Sequence, residues 1–269
     1  MSHPHPCRSA AALVLLGLSL GLALATLAIP PSAQAGQLAP LPVLPSGSGA
    51  ATEEAAGTAP DAPTIPATPQ ERSLRAAVQA YEAGRLVEAR RSFERLARAG
   101  VPAAQHDLAV MHLRGEVPQP DLRRARRLLE AAAAGGFISA HVALGQLHDS
   151  GRLGRPAPAL AFRHYLVAAE AGSVDAQVEV ATAYYLGRGV AADPALALDW
   201  YRQAANGGDV GAQYLLASMY ETGLGTAPDL RLAIYWYEAA AGNGDVPAGV
   251  KAAALRHVAE AAQAVPARP

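Results

Sequence analysis

The stretch AQYLLASMYETGLGTAPDLRLAIYWYEAAAGNG, residues Ala212 to Gly244, decides the fold because its pattern recurs along the chain. Related stretches AQHDLAVMH, AHVALGQLH, AQVEVATAYY and AGVKAAAL begin at Ala104, Ala140, Ala176 and Ala248, so successive copies start 36 residues apart. A constant period of this size is typical of solenoid proteins, in which stacked units bury one continuous core.

Four further sets of residues keep the same period. They are Gly115, Gly151, Gly187 and Gly223; Ala125, Ala161, Ala197 and Ala233; Leu129, Tyr165, Tyr201 and Tyr237; and Gly100, Gly136, Gly172, Gly208 and Gly244. Apolar residues between them recur at helical spacing, as in a predicted helix from Asp175 to Tyr185. Each copy therefore predicts a helix, a glycine loop, a second helix and a glycine turn.

The second helix of each copy has a predicted start. In the third copy, Asp193 is of the residue type that caps helices and Pro194 suits the first helical position, so we expect a helix from Pro194 to Ala205. Asp121 and Asp229 predict the same start in the first and fourth copies. The sequence thus predicts an all-α protein built from stacked helix pairs.

The glycine pair Gly187 and Gly189 precedes a helix, an arrangement that also occurs in phosphate-binding loops. Dinucleotide and P-loop motifs need a strand before the glycines, whereas this pair follows a predicted helix. The same pair recurs as Gly223 and Gly225, which a single nucleotide site does not explain. We therefore expect these glycines to supply positive φ angles between helices, and we expect no nucleotide or other cofactor.

The repeated pattern resembles the Sel1-like repeat, a branch of the tetratricopeptide-like helical repeats. That pattern is roughly A-x-x-x-L-x-x-x-Y-x-x-G-x-G-x-x-x-D-x-x-x-A-x-x-W-Y-x-x-A-A-x-x-G. The third copy matches it at Tyr184, Gly187, Gly189, Asp193, Ala197, Trp200, Tyr201, Ala204, Ala205 and Gly208. The resemblance implies a right-handed α/α solenoid with a 36-residue period.

The first two copies depart from the pattern. His112 and His148 replace the tyrosine of the first helix, while Leu128 and His164 replace the tryptophan of the second. Ala157 replaces the capping aspartate in the second copy. We expect these changes to alter local geometry and to leave the fold intact.

The period also sets the predicted domain boundaries. We expect a helical repeat domain at 71–269, beginning with a short unit at 73–103 that resembles a plain tetratricopeptide unit. The full units are expected at 104–139, 140–175, 176–211 and 212–247, and a capping helix at 248–263. A terminal cap is expected because the end of a solenoid must present a solvated face.

Residues 1–35 have the features of a secretory signal peptide. Arg8 precedes the apolar run ALVLLGLSLGLALATLAI, and Ala33 and Ala35 form an A-x-A cleavage signal. The Pro/Ala-rich residues 36–70 predict a disordered linker. We expect cleavage after Ala35 and a periplasmic or secreted protein with no membrane insertion; an uncleaved membrane anchor is the alternative.

Composition narrows the classes of function. The formal net charge of −1 gives no global field, so we expect no nucleic-acid partner. The single cysteine, Cys7, lies in the predicted signal peptide, so the mature chain has no cysteine nucleophile. With no convincing catalytic set, we expect a protein that is not an enzyme; the alternative is a cell-wall-acting hydrolase with an unrecognised site.

Histidines are concentrated in the first two full units, at His106, His112, His141, His148 and His164. His112 and His148 occupy equivalent positions in neighbouring helices, so two inward imidazoles would approach each other and bind metal or respond to pH. The alternative is that they replace tyrosine as flat core groups. We expect no metal, because metal sites need three or four ligands and no matching acidic ligand or cysteine accompanies them.

The resemblance implies a concave groove lined by the first helix of each unit, by analogy with tetratricopeptide geometry. The candidate groove residues are His106, Val110, Arg114, Val142, Gln146, Asp149, Val178, Thr182, Tyr185, Tyr214, Ser218 and Glu221. Such a groove suits a peptide or an extended protein segment, so we expect a monomeric, exported scaffold or adaptor with a protein partner. Similar exported proteins serve polysaccharide export, secretion or the restraint of a membrane sensor.

Tyr185 and Tyr214 are the predicted anchors for that partner. Each lies off the core position of its helix, by about 100° from Tyr184 and about 240° from Tyr220. The alternative, which the sequence leaves open, is that both tyrosines pack between adjacent units.

Overall fold

The computed structural model describes residues 68–264, with side chains to residue 261. This part of the chain forms eleven α-helices and contains no strand. The helices are α1 (Pro69–Glu82), α2 (Leu86–Arg98), α3 (Pro102–Arg114), α4 (Leu122–Ala134), α5 (Ile138–Asp149), α6 (Pro158–Glu170), α7 (Val174–Leu186), α8 (Pro194–Asn206), α9 (Val210–Thr222), α10 (Leu230–Gly242) and α11 (Val246–Ala264). Within residues 68–264, none of them has the length and apolar character that crossing a membrane requires.

The helices stack in the order in which they follow along the chain. Each one packs mainly against the helix before it and the helix after it. This is the contact pattern of a solenoid, in which every unit touches only its neighbours. The prediction of an all-α solenoid of stacked helix pairs is therefore confirmed, and the signal peptide and the linker up to residue 67 lie outside the described residues.

Small residues allow this close stacking. The alanines that open the first helices, Ala104, Ala140, Ala176, Ala212 and Ala248, are all fully buried. Aromatic side chains fill the spaces that remain between repeats. Tyr184 and Trp200 are half-buried against two adjacent core clusters, as the sequence predicts. Tyr237 is completely buried.

The predicted helix caps are present. The carboxylates of Asp121, Asp193 and Asp229 each accept two backbone N–H groups at 2.8–3.0 Å, at the starts of α4, α8 and α10. Helix α6 lacks this interaction because Ala157 stands at its N-cap. The second repeat therefore leaves these N–H groups without the side-chain acceptor found in the other three.

The two glycines of each complete loop have different roles. Gly187 and Gly223 end α7 and α9 with φ angles of 70° and 74°, in the left-handed region that other residues avoid. Gly189 and Gly225 also have positive φ, and a Cβ on either would collide with the backbone carbonyl of Pro158 or Pro194 in the preceding repeat. The glycine pair is thus required by the turn and by the contact between repeats.

The described chain begins and ends differently from the prediction. Helix α1 begins at Pro69, inside the predicted linker that was expected to reach residue 70. The Thr68 side chain accepts the Glu71 N–H at 3.2 Å, and the Glu71 carboxylate accepts the Thr68 N–H at 2.8 Å. This capping box starts the helix earlier than the repeat pattern does. Helix α11 is longer than the cap expected at 248–263.

Helix α11 exposes apolar side chains, such as Val246 and Val250, beside a charged residue, Arg256. Arg256 stands at the position that Tyr184 and Tyr220 occupy in the third and fourth repeats. Its side chain is exposed and pairs with Glu238 of α10 at 3.3 Å. The last described helix therefore has a charge where an internal repeat has a core aromatic ring.

Candidate binding groove

The first helices of the pairs, α1, α3, α5, α7 and α9, form a surface that we call the A-helix face. A depression of about 320 Å³ lies between α1 and α3. Another, of about 380 Å³, extends from α3 across α5 to the start of α7. His106, Val110 and Arg114 line both depressions, so the two are adjacent and share a wall formed by α3. Together they form what we call the groove.

The α1–α3 end of the groove combines an apolar wall with a polar network. Phe93 and Val110 supply apolar surface. The Tyr81 hydroxyl donates to the Glu116 carboxylate at 2.8 Å and accepts from the Arg114 guanidinium at 2.8 Å. Burial and the bond to Glu116 raise the pKa of Tyr81, so its phenol stays neutral near pH 7.

Two predicted groove residues, His106 and Arg114, line this region from α3, about two helical turns apart. The Nδ1 of His106 is 3.0 Å from the Asp107 carboxylate, and its ring packs 5.0 Å from that of Phe137. Arg114 is exposed and, among the described residues, has no carboxylate within ion-pair distance. Its charge is therefore only partly satisfied, by the Tyr81 hydroxyl.

The α3–α5 end of the groove is more polar. The predicted residues Val142 and Gln146 line it, and Gln146 is exposed. Arg152 also lines it and donates to the Leu113 carbonyl at 2.7 Å, which ties the loop after α5 to the end of α3. The helical pattern of the sequence does not single out Arg152, because this residue lies in the loop between α5 and α6.

Asp149 lies on the A-helix face but is held in an ion-pair network. The Arg188 guanidinium is 3.1 Å from the Asp149 carboxylate and 3.1 Å from that of Glu179. Burial raises the pKa of Glu179, while Arg188 opposes that shift. These contacts join α5, α7 and the loop after α7, so Asp149 serves the junction between repeats.

The α7–α9 region of the A-helix face has a separate depression of about 370 Å³. Tyr185 lines it and is 43% exposed, together with Leu215, Ser218 and Leu224. On the same helix, the Thr182 hydroxyl donates to the Val178 carbonyl at 2.8 Å, so these two predicted groove residues stabilise α7 itself. Tyr185 is thus the predicted tyrosine with an accessible ring.

Tyr214 does not form an exposed pair with Tyr185. Its half-buried ring packs edge-on against Tyr237, with 5.1 Å between centroids. This contact lies within the fourth repeat, because α10 follows α9 closely and brings Tyr237 beneath Tyr214. The predicted pair of exposed anchors is corrected to Tyr185 alone.

Glu221, the last of the predicted groove residues, is also engaged within the chain. It accepts a hydrogen bond from the Tyr237 hydroxyl at 2.7 Å and pairs with Lys251 of α11 at 3.1 Å. Burial acts to raise the pKa of Glu221, but the bonds from Tyr237 and Lys251 outweigh it and lower that pKa. Glu221 therefore links the fourth repeat to the terminal helix.

The histidines meet in a combination that differs from the expected one. His148 stacks parallel to His164 with 5.6 Å between ring centroids, and His141 Nδ1 lies 3.2 Å from His164 Nδ1. His112 instead is buried and accepts the Asp121 N–H at its Nδ1, 3.2 Å away. The alternative, in which His112 replaces tyrosine as a core group, therefore describes it, and each of the two histidines contacts its own repeat.

Histidines such as the three in this cluster are common metal ligands. Within the described residues, no three histidine, cysteine or acidic side chains converge in a way that could hold a metal ion. The three clustered imidazoles instead contact one another by a hydrogen bond and by stacking. Their arrangement offers proton binding rather than a set of metal ligands.

Comparison with protein families gives a match over more than half of the chain. The family model described as Sel1 repeat matches residues 102–137, 138–173, 174–209 and 210–245. These segments contain α3 to α10, one helix pair each. The resemblance seen in the sequence is therefore confirmed. A search of curated proteins gives no significant match.

Solved structures agree with the family match. A Sel1 repeat protein from Oxalobacter formigenes is 30% identical, with a TM-score of 0.60, over 67% of this chain and 78% of that one. The protein c5321, a protective antigen of uropathogenic Escherichia coli with an SLR fold, is 25% identical with a TM-score of 0.66. That match covers 74% of this chain and 43% of c5321, so this chain spans less than half of that antigen.

Proposed function

This chain belongs to the Sel1 repeat family, and we propose that it is a scaffold that binds an extended segment of a partner protein in the groove. Sel1 repeats generally mediate protein–protein interactions, and proteins built from them are typically non-enzymatic. The observation that carries the proposal is that two adjacent depressions between α1 and α7 share the wall formed by His106, Val110 and Arg114.

The shape and chemistry of the groove favour a peptide over a compact ligand. Each depression is near the lower end of the ~300–1,000 Å³ range of small-molecule pockets, which suits individual side chains of a longer ligand. The apolar surface of Phe93 and Val110 offers burial to one side chain, and Gln146 offers an amide to the backbone beside it. Backbone amides of an extended segment need such partners when they leave water.

Arg114 is the residue whose removal is expected to weaken binding most. It is exposed in the middle of the groove and has no acidic partner among the described residues. A carboxylate or carbonyl of the partner would complete its hydrogen bonding, and charge-assisted bonds are stronger than neutral ones. The proposal therefore favours a partner segment with an acidic or carbonyl group facing α3.

Tyr185 supports a second contact further along the same face. Its ring is accessible beside Leu215 and Leu224, two exposed apolar side chains. Tyrosine is enriched among the residues that dominate interface energies. A partner long enough to pass the Asp149–Arg188–Glu179 network would reach this depression as well.

We further propose that the chain is exported by the signal at residues 1–35 and works in the cell envelope, in polysaccharide export, secretion or the regulation of a membrane sensor. The apolar run and the A-x-A at Ala33 and Ala35 support export. N-terminal sequencing of the protein recovered from an envelope fraction tests this part. A recovered chain that still begins at Met1 contradicts cleavage.

The groove itself is tested by quantitative pull-down from envelope extract, comparing the wild-type chain with Arg114→Glu and with a control, Arg123→Glu. Arg123 is exposed on α4, outside the residues that line the groove. We expect a partner that the wild type and the control recover equally and that Arg114→Glu loses at least tenfold. Equal recovery by all three chains contradicts binding in the groove.

A further inference from the structure

The second repeat contains three histidines at positions where the third and fourth repeats have three other residue types. His141 stands at the position of Gln105, Gln177 and Gln213 in the first, third and fourth repeats. His148 replaces the tyrosine and His164 the tryptophan that the third and fourth repeats contain. Three groups that titrate in mildly acidic solution therefore replace three that do not.

The glutamines have a structural role that His141 does not take over. The side-chain amides of Gln105, Gln177 and Gln213 donate to the carbonyls of Ala97, Ala169 and Ala205 at 3.2–3.4 Å, and so join each repeat to the helix before it. His141 is bonded instead to His164, in the second helix of its own repeat. The second repeat thus relies on an imidazole pair that holds α5 to α6.

This pair requires that at least one ring is neutral. The two Nδ1 atoms are 3.2 Å apart, so one must carry a hydrogen and the other a free lone pair. If both rings are protonated, two N–H groups and two positive charges face each other. His148 stacks on His164, the ring that also bonds His141, and adds a third positive charge when it is protonated.

The surroundings offer little to stabilise those charges. All three rings are half-buried. Arg126 and Glu130 of α4 act on His148 in opposite directions and pair with each other at 3.3 Å. Among the described residues, no charge from α3, α7 or α8 acts on the three rings, which influence one another within α5 and α6.

We propose that His141, His148 and His164 form an acid-sensitive joint, at which proton uptake loosens α5 from α6 while the third and fourth repeats stay packed. Protonation removes the hydrogen bond between His141 and His164 and places like charges in a half-buried space. The third and fourth repeats are insensitive because tyrosine and tryptophan at the same positions do not gain charge in this pH range.

The direction of the pH dependence follows from the pKa values. Burial lowers the pKa of all three histidines, and the other two rings lower that of His164 further, from 6.5 to about 4. The unfolded repeat therefore binds more protons than the folded one below pH 6.5. Stability is complete above that pH and falls as the pH drops from 6.5 towards 4, with the three rings titrating as a coupled group.

The joint has a consequence for binding that rests on the proposed function. Helix α5 contains His141 and His148 and also contributes Val142 and Gln146 to the groove. Movement of α5 away from α6 changes the spacing between the α3 and α5 walls. A partner held by both walls is therefore released in acid. If no release is observed, binding in the groove is contradicted, and the proposal of an acid-sensitive joint between α5 and α6 still stands on its own test.

The test compares the wild type with His141→Gln/His148→Tyr/His164→Trp, which restores the residues of the third and fourth repeats. Hydrogen exchange by mass spectrometry at pH 7.5 and pH 4.5, corrected for intrinsic rates, reports the opening of each helix. In the wild type we expect protection of α5 and α6 to fall at least tenfold more than that of α9 and α10 at pH 4.5. In the restored variant we expect all four helices to respond alike.

Two further measurements keep the test decisive if the triple variant folds poorly. The imidazole NMR signals of His141, His148 and His164 in the wild type should titrate below pH 6.5. The single variant His141→Gln should narrow the difference between α5 and α9. Ordinary titrations near pH 6.5 for all three rings, or equal acid opening in every repeat of the wild type, overturns the joint.

Discussion

The second repeat, α5–α6, and the fourth, α9–α10, have the same order of helices and loops. They differ in the side chains that stabilise it. The fourth has the buried rings of Tyr220, Trp236 and Tyr237 in one core cluster and the Asp229 cap at the start of α10. The second has His148 and His164 at two of these ring positions, and Ala157 at the cap. A constant period thus fixes the path of the chain while the strength of each junction varies.

This comparison shows which positions of a solenoid tolerate substitution. Ala140 and Ala161 of the second repeat correspond to Ala212 and Ala233 of the fourth, and all four are buried where helices approach each other. At the positions of Tyr220 and Trp236, the second repeat has the smaller, polar rings of His148 and His164, which stack on each other. Replacement there alters stability and its pH dependence without altering the fold.

The largest expected effect is the loss of a core ring in the fourth repeat. Tyr237→Ala removes a completely buried side chain and a donor to Glu221, so we expect a loss of about 3–5 kcal/mol. Urea denaturation followed by circular dichroism measures it. Tyr165→Ala, at the same position of the second repeat, is the matched variant. If Tyr165→Ala lowers the free energy of unfolding more than Tyr237→Ala does, the fourth repeat is not packed more stably than the second.

A glycine at the contact between repeats comes next. Gly225→Ala directs a Cβ at the Pro194 backbone in a residue with φ of 78°, so we expect a loss of roughly 2–3 kcal/mol. The second repeat has Leu153 at this position, and there Leu153→Ala is expected to change stability by less than about 1 kcal/mol. Thermal unfolding of both variants measures the contrast. Comparable losses would mean that the two loops meet the preceding repeat in the same way.

A smaller effect on stability is expected at Gly145, opposite in sign to the one that helix propensity alone predicts. The other repeats have alanine here, and alanine favours helices over glycine by about 1 kcal/mol. In the second repeat, however, a Cβ would strike the ring of the buried Tyr165. We therefore expect Gly145→Ala to lower stability by about 1 kcal/mol overall. A gain in the midpoint of urea unfolding would show that α5 and α6 can separate to admit the methyl group.

The smallest effect is expected at the missing cap. Ala157→Asp restores the acceptor that α4, α8 and α10 have, so we expect a gain of about 0.5–1 kcal/mol. The reverse change, Asp229→Ala, is expected to cost about 1 kcal/mol in the fourth repeat. Thermal unfolding at pH 7.5 compares the pair. No gain from Ala157→Asp would show that the loop before α6 cannot present a carboxylate to the helix.

Much of the fold could be predicted because it rests on local chemistry that recurs. Asp193 before Pro194 predicts a helix start from the two residues alone, and Gly187 after a helix predicts a left-handed turn. A 36-residue recurrence then fixes the order of packing, since each helix meets its chain neighbours. The start of α1 was missed because it depends on the Thr68–Glu71 capping box, which lies outside the repeat.

The contacts of the groove could be predicted only in part, because they depend on side chains from different helices. Equivalent positions suggested a pair of His112 with His148, whereas ring orientation brings His148 to His164. Angular offset placed Tyr214 away from its own core position but could not show that Tyr237 would meet it there. The Asp149–Arg188 pair likewise joins a helix to a loop of the next repeat.

The charge at Arg256 bears on how copies of this protein meet one another. A final helix with tyrosine at that position would expose the apolar surface that internal repeats cover with the next helix. A second copy could then add to it head to tail, and contacts of this kind do not close but grow into filaments. Arg256, held outward by Glu238, places a hydrated charge on that surface. Burying that surface against a second copy would therefore remove the Arg256 charge from water, which is costly.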